Sequence, residues 1–512
     1  MGRLVRKPEP VSLATPPRLN LAEYCLGNSA RETPDKVALQ VVGDLTTSAH
    51  AERWTYGALD RTVRSVAGGL LAEGLHPGDR LMLRLPNTSD CALLFFGAIA
   101  AGLVPIPVSA QLTEGEAAVL LEDSAAAAVA IVGDFERPRG VRVLGPVEIA
   151  RLKLSPPLLA YAETAAEDPA YMIYTSGTSG RPKGVVHAHR VVLGREPMRR
   201  AWQEIGADDV MLHAGAFNWS YTLGVGLLDP WSVGATTVLY VGPRDISIWP
   251  TLIRATRATL FAAVPSLYRQ ILKYCTLEAA DFASIRHCLA AGEAMAPAIH
   301  AAWFAATGCE LYEALGMSEC STFVSSGPGV PFRPGSAGKP QVGRRIAVLS
   351  LDGSTAPLPA GEVGLLAIHR SDPGLMLGYW RRPDEDALTT RGDWFVGGDL
   401  AVSDADGYLF HRGRADDNMN AGGYRVSPVE VEAALADCPG LAEVGVAERT
   451  VRPDVSIIAA YVVRSAESRI NENDVLRYAK SRLAAYKQPK QVIFVDALPR
   501  SANGKLLRRQ LR

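Results

Sequence analysis

The hydrophobic and polar positions along the chain change spacing several times, and these changes predict alternating helices and strands. Residues 56–75 place Ala and Leu at helical intervals, 77–79 form a Pro-Gly-Asp turn, and 80–85 are a short apolar strand. The same alternation recurs through three further segments, residues 115–133, 206–242 and 251–264. Because strands that alternate with helices pair in parallel under helical layers, the pattern predicts an α/β fold.

Beyond about residue 335 the pattern becomes short strands divided by Asp-Gly and Pro-Gly turns. The predicted strands of this β-rich part are 346–351, 363–369, 394–396 and 408–411. A last segment follows Arg414, with helices predicted over 428–435 and 472–483 and strands over 444–447, 457–463 and 492–495. A chain of 512 residues is too long for one core, so two or more domains are expected.

Composition excludes several classes of protein. The longest small-apolar runs, 92–105 and 125–132, fall short of the roughly 18 residues of a membrane span, and are interpreted as a core helix and a buried strand. A net charge of −1 argues against a nucleic-acid partner held by bulk electrostatics. The seven cysteines include no CxxC pair, and the N-terminus lacks the apolar core of a signal peptide, so a cytoplasmic protein with reduced thiols is expected.

The most informative segment is residues 174–187, where an apolar run leads into a loop rich in Gly, Ser and Thr. Gly lets backbone N–H groups approach an anion closely, the hydroxyls add short donors, and Arg181 and Lys183 add positive charge. The loop is not a Walker A sequence, because Pro182 stands where that pattern needs Gly. These features predict a phosphate-binding loop.

Four further sites of polar residues follow in the chain. Ser318 and Glu319 combine a hydroxyl donor with a hard carboxylate suited to Mg²⁺, and Asp399 follows two glycines. Arg414 comes next, and Lys505 stands seven residues before the end. Each residue alone is also consistent with a turn or a solvated charge.

Taken in this order, the motifs closely resemble those of the adenylate-forming superfamily, which includes acyl-CoA synthetases, luciferases and the adenylation domains of peptide synthetases. The resemblance runs from about residue 30 to the end. It implies a large N-terminal domain, residues 1–414, built from two α/β subdomains and a small β-barrel. It also implies a small, mobile α+β C-terminal domain, residues 415–512, hinged near Asp416.

The resemblance also implies a role for each motif residue. The cofactors would be ATP, Mg²⁺ and coenzyme A, with Ser318, Glu319 and Lys505 as catalytic residues and Glu319 as the Mg²⁺ ligand. Lys505 would bridge the substrate carboxylate and the α-phosphate. The residues expected to bind ATP and its phosphates are Thr175, Ser176, Gly177, Thr178, Ser179, Gly180, Lys183, Gly292, Glu293, Glu313, Leu315, Asp399 and Arg414.

One departure from the family pattern and the residues of the predicted acid pocket indicate a branch within this superfamily. Many members carry Tyr where this chain has Leu315, and an aliphatic residue there is also found in the benzoate-CoA-ligase-like branch. The acid pocket is predicted from the residues Phe217, Trp219, Tyr221, Gly292 and Met317. Since no Lys or Arg falls within 214–224, the expected acid is an aryl or short-to-medium aliphatic monocarboxylic acid. The aromatics are equally compatible with a core role.

The second half of the reaction needs a channel for the CoA thiol. The channel and hinge are assigned by resemblance to Asp416, Gly422, Gly423, Tyr424 and Arg425. The alternative functions are an adenylation enzyme that loads a carrier protein in trans, and a luciferase-like or degenerate use of the fold. A homodimer, and reversible acylation of Lys505 by a protein acetyltransferase, are further expectations.

Overall fold

A computed structural model describes residues 15–43, 45, 52–133, 138, 140–176, 182–243, 245–415, 419–421, 424–452, 455–483, 487–500 and 506–511. Within these residues the chain divides into two compact units. The first unit comprises residues up to 345 together with 369–390, and the second comprises 346–368 together with 391–512. The β-rich segment before Arg414 therefore groups with the C-terminal segment, and a mobile domain beginning at residue 415 stays a prediction.

Helices and strands alternate along most of the chain. The helices are α1 Leu21–Glu32, α2 Tyr56–Ala72, α3 Ser89–Ala100, α4 Glu114–Ser124, α5 Pro146–Lys153, α6 Val191–Gly194, α7 Glu196–Met198, α8 Ser220–Leu223, α9 Asp229–Ser232, α10 Ile248–Thr256, α11 Pro265–Tyr274, α12 Pro297–Thr307, α13 Pro383–Leu388, α14 Pro428–Leu435 and α15 Glu472–Lys480.

The strands are β1 Val37–Val42, β2 Glu52–Thr55, β3 Arg80–Arg84, β4 Val104–Val108, β5 Ala128–Ile131, β6 Arg142–Leu144, β7 Pro169–Ser176, β8 Pro182–Ala188, β9 Val210–His213, β10 Thr236–Tyr240, β11 Leu260–Ala263, β12 His287–Ala291, β13 Leu311–Met317, β14 Ser321–Ser325, β15 Lys339–Pro340, β16 Ile346–Leu349, β17 Val363–His369, β18 Gly378–Tyr379, β19 Thr390–Arg391, β20 Trp394–Ser403, β21 Leu409–Arg414, β22 Met419–Ala421, β23 Tyr424–Val426, β24 Leu441–Arg452, β25 Val455–Arg464 and β26 Gln491–Phe494.

The first unit is built on two sheets whose inner strands run parallel, which confirms the α/β prediction. The larger has the order β15-β14-β13-β12-β11-β9-β10-β1-β2, and the smaller has the order β4-β3-β5-β6. A third sheet, β18-β8-β7, is antiparallel. Because β9, β11, β12 and β13 are mutually parallel, their carboxyl ends and the loops that follow them share one edge.

Helix α3 shows why this unit has a large buried core. All of its residues except the half-buried Asp90 are buried, including Leu93, Phe95 and Phe96, and β5 is buried along its whole length. The two long apolar runs are therefore a core helix and a buried strand, as predicted. The helix ends at Ala100, because the chain turns at Gly102 (φ +77°) into β4.

The second unit contains a five-stranded sheet made of β16, β17, β19, β20 and β21, and a three-stranded sheet of order β24-β25-β26. Strand β20 and the β24–β25 hairpin extend beyond the strands predicted at 394–396, 444–447 and 457–463. The prediction was too short because polar or charged positions such as Asp399, Glu448 and Arg449 interrupt the apolar pattern, and cross-strand pairing, which is invisible in local composition, fixes them as strand. Among the described residues, no helix is long and apolar enough to cross a membrane.

Candidate functional site

The turn between β13 and β14 carries Ser318 and Glu319 at the carboxyl edge of the large sheet. His187 on β8 donates from Nε2 to the carbonyl oxygen of Ser318 at 2.8 Å. The backbone N–H of Met376 donates to the carbonyl oxygen of Glu319 at 2.7 Å, and the hydroxyl of Tyr379 donates to Glu319 Oε1 at 2.8 Å. The backbone and the carboxylate of this turn are therefore both held by hydrogen bonds.

His187 reaches the turn as a neutral imidazole. Burial lowers its pKa to about 4, and its ring stacks on Tyr171 with centroids 4.8 Å apart. Since a carbonyl oxygen only accepts, the proton must lie on Nε2. The sequence analysis did not select His187; its only signal was its position on the strand that leaves the predicted phosphate loop.

The strands on either side of the predicted phosphate loop form an antiparallel hairpin. Thr175 on β7 pairs with Lys183 on β8, and residues 177–181, which include Gly177, Thr178, Ser179 and Gly180, lie outside the described residues. The ammonium group of Lys183 forms an ion pair with Glu385 and lies 5.3 Å from the ring centroid of Tyr379. Tyr379 thus contacts both Lys183 and Glu319.

A second set of contacts anchors the start of the same loop. The hydroxyl of Tyr174 donates to Asp123 Oδ2 at 2.7 Å, and Arg382 Nη2 donates to Asp123 Oδ1 at 2.5 Å. The indole N–H of Trp380 donates to the carbonyl oxygen of Asp123 at 3.1 Å. The loop therefore begins at a tyrosine fixed to the end of α4. Neither Asp123 nor Trp380 was selected from the sequence.

The residues expected to bind adenine lie at the ends of β12 and β13. Gly292 has φ +92°, and a Cβ at this position would lie 2.8 Å from the Trp219 indole, so both the backbone angle and the close approach require Gly. Glu293 accepts hydrogen bonds from the N–H and hydroxyl of Ser266 at 3.2 and 3.1 Å. Leu315 and Met317 are half-buried on β13.

Glu313, also on β13, is a buried carboxyl group beside this region. Burial raises its pKa to about 8, although the N–H of Met295 donates to its Oε1 at 3.1 Å. At neutral pH the group is therefore mainly protonated and can donate as well as accept a hydrogen bond.

The three aromatic residues predicted for the acid pocket occupy different environments. Phe217 is buried in the hydrophobic cluster that includes α3. Tyr221 is buried, and its hydroxyl lies 3.3 and 3.4 Å from the carbonyl oxygens of Leu289 and Ala263. Trp219 is half-buried, meets Tyr221 edge to face at 5.4 Å, and lies against Gly292. Trp219 is thus the member of the three that is both accessible and next to Gly292.

In the second unit, Asp399 and Arg414 face each other across β20 and β21. His411 Nε2 lies 2.9 Å from Asp399 Oδ1, and Arg414 Nη1 lies 3.8 Å from Asp399 Oδ2. Gly398 has φ +87°, and a Cβ there would lie 2.9 Å from the Arg414 guanidinium. His411 is a further residue that the sequence analysis missed, because a histidine in a polar strand carries no distinctive signal.

Several of the residues predicted from the sequence to form the site lie outside the described part of the structure. Asp416, Gly422, Gly423 and Lys505 lie outside the described residues, as do the side chains of Ser176, Tyr424 and Arg425, whose backbones belong to strands β7 and β23. Their assigned roles stay predictions.

The position of the Glu319 carboxylate is consistent with a Mg²⁺ ion that is bound together with substrate phosphates. In the described part of the chain, no three His, Cys, Asp or Glu side chains are close enough together to hold a metal by themselves. Mg²⁺ is commonly bound through one or two carboxylates together with substrate phosphates, and the Glu319 carboxylate, hydrogen-bonded to the tyrosine that also contacts Lys183, fits that mode.

Comparison with known proteins gives matches over nearly the whole chain. Residues 26–380 match the family model described as AMP-binding enzyme, and residues 430–505 match its C-terminal domain model. The chain is 31% identical to the benzoate–CoA ligase of Thauera aromatica, with 97% of this chain and 98% of that protein covered. It is 30% identical to the 3-hydroxybenzoate–CoA ligase of Aromatoleum sp. (strain CIB), with 90% and 91% covered.

A solved structure supports the same similarity. The benzoate CoA ligase from Burkholderia xenovorans LB400 superposes with a TM-score of 0.85 at 29% identity, covering 96% of this chain and 99% of that chain.

Proposed function

The chain belongs to the AMP-binding enzyme family, and from this premise we propose that it joins an aryl or short-to-medium aliphatic monocarboxylic acid to coenzyme A. It is an AMP-forming acid–thiol ligase that uses ATP, Mg²⁺ and CoA. The observation that carries the site assignment is the cluster in which Tyr379 contacts both Glu319 and Lys183 at the carboxyl edge of the sheet.

The first half-reaction makes the acid electrophilic. A carboxylate oxygen attacks the α-phosphorus of ATP, the bond from that phosphorus to the bridging oxygen breaks, and pyrophosphate leaves with the electron pair. Negative charge on the α-phosphoryl oxygens must be met by fixed donors and cations, and we assign this task to Lys505. Bound Mg²⁺ neutralises phosphate charge, and Glu319 would hold it.

Other residues bind the nucleotide in this proposal. The loop of residues 175–184 and the ammonium of Lys183 would contact the β- and γ-phosphates. Asp399 accepts hydrogen bonds from the ribose hydroxyls, held in position by His411, and Arg414 contacts ribose or phosphate. Ser318 donates to a phosphoryl oxygen, and Gly292, Glu293, Glu313 and Leu315 surround the base.

The second half-reaction transfers the acyl group. The CoA thiolate attacks the acyl carbonyl carbon of the adenylate, and AMP leaves with the electron pair of the broken C–O bond. Gly423 is assigned to the pantetheine channel, with Gly422, Tyr424 and Asp416 beside it, because a side chain at this position would obstruct the thiol. Arg425 is assigned to a phosphate in this step.

The acid class rests on the environment of Trp219. The half-buried indole lies against Gly292, and His213, at the end of β9, is neutral because burial lowers its pKa to about 3. No positive group is described at residues 214–224 to pair with a second carboxylate. Leaving a second carboxylate unpaired in such a pocket would cost on the order of several kcal/mol. The benzoate and 3-hydroxybenzoate ligases among the relatives support an aryl acid.

A panel of acids tests this assignment. Pyrophosphate release is measured with benzoate, hydroxybenzoates, medium aliphatic acids and malonate, each with and without CoA, and the thioester is identified by mass. Benzoate-like acids are expected to give thioester far faster than malonate. Malonate as the best substrate would refute the pocket assignment, while adenylate formation without transfer to CoA would indicate a carrier-protein acceptor.

Three further features belong to the proposal. Acetylation of Lys505 would remove the charge needed for adenylation, which intact-mass and activity measurements before and after deacetylase treatment would test. A homodimer would appear in sedimentation as twice the mass of the chain. A cytoplasmic location would be tested by cell fractionation.

A further inference from the structure

A fully buried ion pair lies behind the turn that carries Glu319. Arg195 donates from Nε to Asp229 Oδ1 at 2.6 Å and from Nη2 to Asp229 Oδ2 at 2.7 Å, and the two side chains are 3% and 0% exposed. Gln203 donates to Asp229 Oδ2 at 2.7 Å. Burial of two charges is costly even when they are paired, so such a pair is often retained for a role other than stability.

The remaining nitrogen of Arg195 points to the turn. Nη1 of Arg195 donates to Ser321 Oγ at 2.6 Å. Ser321 is the first residue of β14 and has φ +65°, a left-handed conformation that costs a residue with a side chain on the order of 1–3 kcal/mol. Arg195 thus contributes a charged hydrogen bond at the strained residue of the turn.

The absence of a side chain at Gly224 leaves space for the Arg195 guanidinium. A Cβ on Gly224, in the π-helical turn Gly224–Leu228, would collide with the Arg195 guanidinium. A second buried pair, Arg344 and Asp372, lies nearby, and Arg344 donates both to Cys320 Sγ at 3.4 Å and to the carbonyl oxygen of Gly194. Both arginines therefore contact consecutive residues of the same turn.

We propose that Arg195, held by Asp229, is a positioning residue for the Mg²⁺- and phosphate-facing carboxylate of Glu319, and that it acts through Ser321. His187 and Met376 fix the carbonyl oxygens of Ser318 and Glu319 on one side, and the hydroxyl of Ser321 fixes the other end. The inference rests on the proposed function only in assigning Glu319 to Mg²⁺; the constraint on the turn is independent of it.

Removing Arg195 or Asp229 would leave an unpaired buried charge and could unfold the protein, so the test uses Ser321. Ser321→Ala removes the hydrogen bond, and Ser321→Gly removes it while also relieving the positive φ. Ser232→Ala is the matched control, because the Ser232 hydroxyl accepts a hydrogen bond from a different buried arginine, Arg199, and lies in α9 rather than in the turn.

Two readouts are measured on the full chain: amide hydrogen exchange in a peptide covering residues 317–322, and the Kd for ATP in the presence of Mg²⁺ by calorimetry. Both Ser321 variants are expected to speed exchange and weaken Mg²⁺-dependent ATP binding by roughly tenfold, the scale of one hydrogen bond to a charged group. Ser232→Ala should change neither by more than about twofold.

The outcomes separate this inference from the proposed function. If both Ser321 variants match wild type in exchange and in Kd, or if only Ser321→Ala is affected, the hydrogen bond does not position the turn and the inference is wrong. If exchange accelerates while wild type shows no Mg²⁺ dependence of ATP binding, the turn is positioned as proposed but Glu319 is not the Mg²⁺ residue.

Discussion

The Glu319 turn in the first unit and the Asp399 pair in the second are supported in different ways. The turn is held by His187, Arg195 and Arg344, whose side chains are almost completely buried. Asp399 pairs with His411 and Arg414, whose side chains are 27% and 30% exposed. Buried hydrogen bonds are screened little by salt, whereas partly exposed ion pairs are weakened by salt and by changes in pH.

This difference in burial suggests that the two units have different roles, one fixed in geometry and one able to rearrange. The turn that carries Glu319 in the first unit keeps one geometry because its supports are buried and closely packed. Breaking the partly exposed pairs of Asp399 in the second unit costs less free energy. Such rearrangement is needed if that unit takes part in two successive half-reactions. The following predictions test this contrast, beginning with the largest expected effect.

Gly423→Leu should abolish thioester formation and leave acid-dependent ATP–pyrophosphate exchange nearly intact. If Gly423 lines the pantetheine channel as proposed, a side chain at this position would block the thiol and leave the adenylation residues unchanged. Mass detection of the thioester and isotope exchange measure the two halves. If both activities fall together with the melting temperature, Gly423 is instead a structural turn residue.

Acid should destabilise the first unit through its buried histidines. Burial lowers the pKa of His187, His189 and His287 to about 4 and that of His213 to about 3. These groups are neutral when folded but take up protons below pH about 6.5 when unfolded, so their stabilising contribution is complete above that pH and is lost as pH falls toward 4.

The measurement is urea unfolding between pH 7.5 and 5, comparing His213→Gln with His76→Gln, whose side chain is 81% exposed in wild type. His213→Gln should flatten the pH dependence and His76→Gln should not. Burial raises the pKa of Glu313 to about 8, so this residue makes the free energy of unfolding fall as pH rises. Because Glu313 is present in every variant, the readout is the difference in pH dependence between each variant and wild type. Equal slopes in wild type and His213→Gln would contradict the prediction.

Trp219→Ala should shift the acid preference toward bulkier acids by roughly tenfold, because the indole that lies against Gly292 would be replaced by open space. The ratio of kcat/KM for a substituted and an unsubstituted benzoate measures the shift. Trp249→Ala is the control, since Trp249 packs with Tyr240 and Phe261. An unchanged acid profile in Trp219→Ala would remove Trp219 from the pocket.

Glu385→Gln should produce the smallest effect, a decrease of about threefold in the KM for ATP. The carboxylate of Glu385 pairs with Lys183 and competes with phosphate for its charge, and pairs that are partly exposed are worth roughly 1 kcal/mol or less. Asp384→Asn, at the exposed neighbouring position, should leave the KM unchanged. An increased KM in Glu385→Gln would mean that the pair orients Lys183 for ATP.

The sequence revealed motifs whose residues lie close together in the chain. The phosphate loop and the Ser318–Glu319 pair combine distinctive residue types within a few positions. The supports could not be found this way: His187 and Ser318 are 131 residues apart, and Arg195 and Ser321 are 126 apart. Single His, Arg and Tyr residues carry no pattern: pairing of β8 with β18 brings together the strands of His187 and Tyr379, and pairing of β13 with β14 forms the turn that they support.

The aromatic residues show a second limit of sequence reasoning. Phe217, Trp219 and Tyr221 are equivalent candidates for an acid pocket by composition. Their burial differs because Tyr221 and Phe217 face packed clusters while Trp219 lies next to Gly292, a distinction set by tertiary packing.

The most direct test of the different roles of the two units is to measure the rates of both half-reactions in Lys505→Ala. Lys480→Ala, which changes an exposed lysine in α15, is the control. We expect Lys505→Ala to lose roughly 10²-fold or more in the rate of adenylation, the scale of one preorganised charge-stabilising group, while synthetic acyl-adenylate and CoA still give thioester at the wild-type rate. An equal loss in both half-reactions would contradict it.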